Sequence, residues 1–149
     1  DLARLADLVL VSAEGAGNWI QSHKALYHAS RAVREEGLIV LEAPCPEGIG
    51  DERFRHWISQ PTLAEIYAGL RQHPEVLGQT ALSTKVRGAR TILVTNMKPE
   101  EQRHLGIQTA PDLDRAVRMA FERLAQNGIS KPSYYLMPQG LTVVPFPPV

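Results

Sequence analysis

Cysteine is nearly absent: Cys45 is the single one in 149 residues. No disulfide can form within the chain, and such usage fits a reducing, cytoplasmic compartment. Long apolar runs are missing too. None approaches the roughly 20 residues that span a bilayer, so a transmembrane helix is excluded. Charge of one sign is also lacking, with 16 basic residues against 16 acidic ones and no formal net charge. That balance argues against general binding to nucleic acid or acidic membranes, which takes a cationic surface. Lysine is scarce, four against twelve arginines. The five histidines form no HxH or HExxH pair. His23 and His28, five apart, diverge by about 140° on a helix, so no metal site is expected within the chain. No serine stands in a GxSxG elbow.

What is present reads as one α/β domain, a mostly parallel (mixed) sheet flanked by helices and closed by a C-terminal strand pair. Asp1–Ala6 reads as the end of a helix. Asp7–Ala13 and Leu38–Ala43 are compact Leu- and Val-rich runs of the kind that form buried strands. Between them Ile20–Glu36 reads as a helix, with Asn18 as N-cap and Gly37 as the residue after its end. Shorter helices are expected over Asp51–Ile58, Thr62–Gln72, Pro74–Val86 and Pro99–Leu105, with Thr62 and Glu65 as a capping box. Arg90–Thr95 reads as a third strand. Leu113–Ala125 carries Leu113, Ala116, Val117, Ala120, Phe121 and Leu124 on one face and ends at Asn127-Gly128. Ser133–Met137 and Leu141–Phe146 read as two further strands, the last one antiparallel. With no Met at its start and no signal peptide, the chain reads as a piece of a longer protein.

Four features bear on chemistry. The turn Glu14-Gly15-Ala16-Gly17-Asn18 joins a strand to a helix N-terminus, where free N–H groups and the helix dipole attract anions. The dinucleotide fingerprint is incomplete, because Ile20 stands where its third glycine belongs. Gln21, Lys24, His28, Arg31 and Glu35 form a polar stripe, opposite a core side of Ala25, Leu26, Ala29, Ala32 and Val33. A carboxylate near the start of that helix would meet a backbone N–H, the Gln21 amide and the Lys24 ammonium together, the donor set an oxyacid needs. Pro44-Cys45-Pro46-Glu47-Gly48 follows the second strand. Its cysteine has no histidine nearby in sequence and reads as part of a turn rather than as a nucleophile. Gln79, Thr80, Ser83 and Thr84 put an amide and hydroxyls on one helix.

Asp7–Ala13, Gln21-Ser-His-Lys24-Ala-Leu26, Ala32–Leu41, Cys45-Pro-Glu-Gly48-Ile-Gly50 and Pro138-Gln-Gly140-Leu-Thr142 with Pro145 together resemble the C-terminal domain of the lactate racemase family. The resemblance runs over essentially the whole chain and is looser across 51–78. It implies that residues 1–149 are the substrate-side domain of a two-domain enzyme, a racemase or epimerase of 2-hydroxy acids. Such an enzyme removes a hydride from the hydroxyl-bearing carbon and returns it to either face, using a nickel-pincer nucleotide. By the same resemblance that cofactor sits on a lysine of the chain's own N-terminal domain, with a histidine on nickel and two acid/base histidines. No catalytic, cofactor or metal residue is then expected here, and the isolated chain is expected to be inactive.

The resemblance makes Gln21, Lys24, Gln79 and Thr80 the substrate-binding residues. Lys24 would pair with the carboxylate and Gln21 would orient the hydroxyl or carboxylate. Gln79-Thr80 falls where lactate-specific members carry Gln-Trp, and Ile20 where a Tyr often precedes the Gln. Both changes imply a roomier, more polar pocket and a larger acid than lactate. Two other readings are open on the residues themselves. One is a stand-alone α/β module taking an anion or nucleotide at Gly15–Gly17, and the other is a structural subunit whose polar stripe meets a partner.

Overall fold

The computed structural model describes residues 2–148. The apolar run near the start becomes β1 (Ala6–Ser12), and α1 (Trp19–Ser30) leads from it to β2 (Val33–Glu42). Then come α2 (Glu52–Ile58), α3 (Leu63–Gln72), α4 (Val76–Gly88) and β3 (Thr91–Val94). The chain finishes with α5 (Pro99–Leu105), β4 (Gln108–Ala110), α6 (Leu113–Gln126) and β5 (Tyr134–Met137). The strands lie in the order β4-β3-β2-β1-β5, and every neighbouring pair is parallel.

Two apolar layers cover the two faces of this sheet. Val9, Val11, Ile39, Leu41 and Leu93 point into a layer shared with Trp19, Leu26, Phe54, Ile66 and Ala81 of the helices α1 to α4. Leu8, Leu38, Val40 and Ile92, the alternate positions, meet Ala116, Ala120 and Leu124 of α6. Strands apolar on both faces are what a parallel sheet between helical layers requires.

Several expectations are corrected. Ala6 begins a strand, and the described residues before it form no helix. The first helix stops at Ser30, not Glu36. Ala6 N–H donates to Ala32 O, and Val33 pairs with Ala6, so strand pairing claims this segment early. Arg31 becomes the helix cap, Glu35 a strand residue and His28 a buried one, so of the expected polar stripe only Gln21 and Lys24 stay together on an exposed face. Gly37 lies inside β2, at an irregularity where the register jumps between Ala6 and Leu8. A Cβ there would stand 2.7 Å from the Asp7 carbonyl oxygen, so the glycine serves a close backbone approach rather than a helix end.

Pro74 precedes α4, which starts at Val76 with Glu75 as its cap residue. The short strand β4 was not anticipated; three residues, two of them exposed, carry too little pattern. Leu141–Phe146 forms no strand, so the C-terminal pair is a single strand, β5, and it runs parallel to β1. On α6, Leu113 and Phe121 are about two-fifths exposed, leaving a narrower buried line of Ala116, Ala120 and Leu124. The Thr62–Glu65 capping box and the Asn18 cap form as expected. Past α6, Ile129 N–H reaches back to Leu124 O with Gly128 at φ +84°, the left-handed closure that Asn127-Gly128 implies.

Candidate functional site

The chain proceeds outward from β1 through β2 and β3 to β4, then returns to place β5 on the other side of β1. The strand order therefore reverses between β1 and β5. In open parallel sheets ligands gather outside the carboxyl ends of the strands at such a reversal. Here that place is bounded by the turn after β1 and the loop after β5. A hollow of about 420 Å³ opens between Glu14, Gly15, Pro138, Gln139, Leu141 and Thr142. An apolar hollow of about 290 Å³ lies beside it, against Leu10, Ser12, Leu113 and Leu136.

The loop after β5 is tied to this place from below. His28, buried on α1, donates from Nδ1 to the carbonyl of Gly140 over 2.7 Å. Gly140 N–H donates to Ser12 O at 3.0 Å.

The glycine turn positions Gln21. Asn18 is extended at φ −144° and its Oδ1 accepts from Gln21 N–H at 3.1 Å, which starts the helix. Gly17 N–H donates to Gln21 Oε1 over 2.7 Å. That bond fixes the amide, with its oxygen toward the turn and its NH₂ left as donor. Lys24 is exposed one turn on, and among the described residues its ammonium makes no ion pair or hydrogen bond. Both residues are exposed, and neither lines the two hollows just described.

The anion cradle expected at this turn is filled by the chain's own groups. Besides the Gly17–Gln21 bond, Trp19 N–H donates to Gly48 O at 2.9 Å and Ser22 N–H to Asn18 O at 3.0 Å. Glu47 stands against Gly17 so closely that a Cβ would lie 2.8 Å from its Oε2. A carboxylate in that position repels an incoming anion, so the available donors shift outward to Gln21 and Lys24.

Gln79 and Thr80 belong to the same helical layer. Trp19 Nε1 donates to Thr84 Oγ1 at 3.1 Å, and His23 Nε2 lies 2.8 Å from Ser83 Oγ. The opening turns of α1 thus pack against the third turn of α4. Gln79 and Thr80 sit one turn earlier on α4, before the contact with Trp19. Gln79 is exposed, whereas the Thr80 hydroxyl donates to Val76 O at 3.1 Å within its own helix. The four expected residues share one layer, and no hydrogen bond joins the α1 pair to the α4 pair among the described residues.

Cys45 is not a nucleophile in this arrangement. It is buried, with φ at +47°, and its Sγ lies 3.3 Å from Ser22 Oγ. Burial pushes its thiol above the usual range, against the hydrogen bonds of Ser22 and Thr95. His23 moves the other way: burial first and then the Arg87 charge lower it to about 4. It is a neutral imidazole at ordinary pH.

Two residues near the site escaped sequence reasoning. Trp19, fully buried, links the α1 start to α4 through its indole N–H. Glu47 bears on Gly17 although thirty positions separate them. A tryptophan directly after an N-cap was the available signal for the first; the second has none, since the approach is tertiary. Among the described residues no three His, Cys, Asp or Glu side chains gather as a metal site. No helix of the described chain is long and apolar enough to cross a membrane.

Residues 3–144 match the family described as the lactate racemase C-terminal domain. No curated protein matches the chain. Among solved structures it is similar to the lactate racemase apoprotein from Thermoanaerobacterium thermosaccharolyticum, at 22% identity and a TM-score of 0.79. That match covers 95% of this chain and 36% of the other. A protein from Thermotoga maritima aligns at 14% identity and a TM-score of 0.45, over 91% of this chain and 38% of that one. The chain thus spans little more than a third of the lactate racemase it resembles.

Proposed function

Because this chain belongs to the lactate racemase C-terminal domain family, we propose that it forms the substrate-side wall of a 2-hydroxy-acid racemase or epimerase and faces its own N-terminal domain. One observation carries the reading. Gln21 and Lys24, three positions apart on the opening turns of α1, present an amide NH₂ and an ammonium with no partner among the described residues, at the carboxyl edge of the sheet.

Lys24 would take the substrate carboxylate as a charge-assisted partner. Gln21, held by Gly17, would orient the hydroxyl or the second carboxylate oxygen. Gln79 and the roomier side at Thr80 would bound the rest of the acid. The open surface around these tips calls for a second wall, which the N-terminal domain would supply.

The overall reaction proposed is inversion at the hydroxyl-bearing carbon by loss and return of hydride. The residues around Gln21 and Lys24 do not fit the nickel-pincer nucleotide that the family resemblance implies, which takes a histidine on nickel: the two histidines of α1 are taken up by other groups, His23 Nε2 by Ser83 Oγ and His28 Nδ1 by Gly140 O. The reading therefore places that group outside this chain and derives no step of this chain's residues through it.

The test is a racemisation assay of the full-length protein on a panel of 2-hydroxy acids. Turnover is expected to favour acids larger than lactate. Lys24→Ala should chiefly raise KM or lower kcat/KM. No turnover of any 2-hydroxy acid by metal-loaded protein, or variants at Lys24 and Gln21 that leave KM unchanged, would count against it.

A further inference from the structure

At the amino edge of the sheet, away from the site above, three arginines line one hollow. It holds about 570 Å³ and is bounded by Tyr27, Ser30 and Arg31 of the α1 end, Val33 and Glu35 of β2, and Val86, Arg87 and Arg90 around the α4 end.

Each guanidinium is fixed by uncharged acceptors. Arg87 donates to Ser30 Oγ at 3.0 Å and to Ser83 Oγ at 2.6 Å, and lies 4.9 Å over the Tyr27 ring. Arg90 donates to the carbonyls of Arg34 and Glu35 at 2.8 and 3.2 Å. Arg31 donates to Pro145 O at 3.0 Å. Among the described residues none of the three has a carboxylate within 4.0 Å. Glu35, the one acid on the rim, is exposed and leaves two positive charges over. The helix ends of α1 and α4 contribute partial negative charge of about half a unit each, which lessens the excess without cancelling it.

Guanidinium groups held in place but not neutralised keep free N–H forks, the geometry that meets a phosphate bidentately. We infer that this hollow is a second binding site, for a small phosphate-bearing anion. With the helix ends counted, an excess of about one positive charge remains; the N–H donors of three guanidinium groups favour a phosphate over a lone carboxylate, for which the hollow is also large. The inference stands apart from the racemase reading, because it uses none of the same residues.

The test is calorimetric titration of the full-length protein at low ionic strength, with inorganic pyrophosphate and AMP as probes. Pyrophosphate is expected to bind at submillimolar concentration, with affinity falling as salt rises. Arg31→Gln with Arg90→Gln should weaken it at least tenfold, and Arg53→Gln, on the exposed Arg53–Asp51 pair, should not. Equal loss with AMP assigns the site to phosphate esters, and loss with pyrophosphate alone assigns it to free polyphosphate; either sustains the inference. Arg31→Gln alone, whose side chain bonds among the described residues only to Pro145 O, serves if the double variant does not fold, with at least a threefold loss expected. No binding of either probe, or affinity unchanged in a folded Arg31 variant, overturns it.

Discussion

Gly17 and Gln21 are joined across one helical turn: the glycine N–H donates to Gln21 Oε1 over 2.7 Å. The bond satisfies a donor at the helix entrance and at the same time sets which end of the amide faces outward. A structural contact thereby orients a residue proposed to touch substrate. Gln21→Glu keeps the acceptor for Gly17 but replaces the outward NH₂ with a carboxylate oxygen. In the full-length enzyme kcat/KM should drop about 100-fold, or roughly 2.7 kcal/mol, while stability changes by under about 1 kcal/mol. Steady-state kinetics beside chemical denaturation separates the two effects.

Lys24 has no partner to lose among the described residues, so Lys24→Met should leave the melting temperature within about 2 °C. Its loss should appear as a 10- to 100-fold fall in kcat/KM, carried mostly by KM. Lys24→Arg should recover part of the affinity. A Lys24 variant that melts early with unaltered KM would show the ammonium to be structural.

Stability should depend on His23 across mild acid. The unfolded imidazole titrates near 6.5, whereas burial and Arg87 hold the folded one at about 4. Between those values the unfolded chain binds the proton and the folded chain does not, so stability falls as pH drops from about 6.5 to about 4 and levels off below. The His23 share is at most roughly 3 to 4 kcal/mol. Urea unfolding at stepped pH should show this slope, and His23→Gln should flatten it.

Thr84 stands between two elements, accepting from the Trp19 indole at 3.1 Å and donating to Thr80 O at 2.8 Å. Thr84→Val keeps the shape but strands a fully buried N–H, at a cost of about 1–3 kcal/mol. Thr84→Ser keeps the hydroxyl and should cost less. Equal destabilisation by the two would mean that the methyl group, not the bond, matters there.

Gly140→Ala probes the loop beside the proposed cleft. The added Cβ would stand 2.7 Å from Ser12 O and 2.9 Å from Ala25 Cβ, and nearer still to the Val11 side chain. The loop must shift off the His28 tether, for a loss of about 1–3 kcal/mol. Thermal unfolding measures the cost, and loss of the His28–Gly140 bond should appear in the histidine NMR resonances.

The α/β class, the buried strand cores at Val9 and Ile39, and the caps at Asn18, Thr62 and Gly128 were legible in the sequence. Each depends on residues within a turn or two, where hydrophobic period and capping chemistry act directly. The end of α1 was not legible. Ile20–Glu36 reads as one helix by propensity, and only pairing with Ala6 draws the residues from Val33 onward into strand. The direction of β5 and the fate of Leu141–Phe146 were likewise hidden, since both depend on which edge the returning chain finds.

Gln21 and Lys24 could be chosen from spacing and resemblance, because three positions on a helix share a face whatever surrounds them. Their surroundings could not. The Glu47 carboxylate against Gly17, the Trp19–Thr84 bond and the three arginines around one hollow join segments tens of residues apart. Sequence by itself determined local geometry, through short-range sterics and period. Tertiary structure alone decided which charges are answered and which stay free, because that depends on what packing brings within a few ångströms.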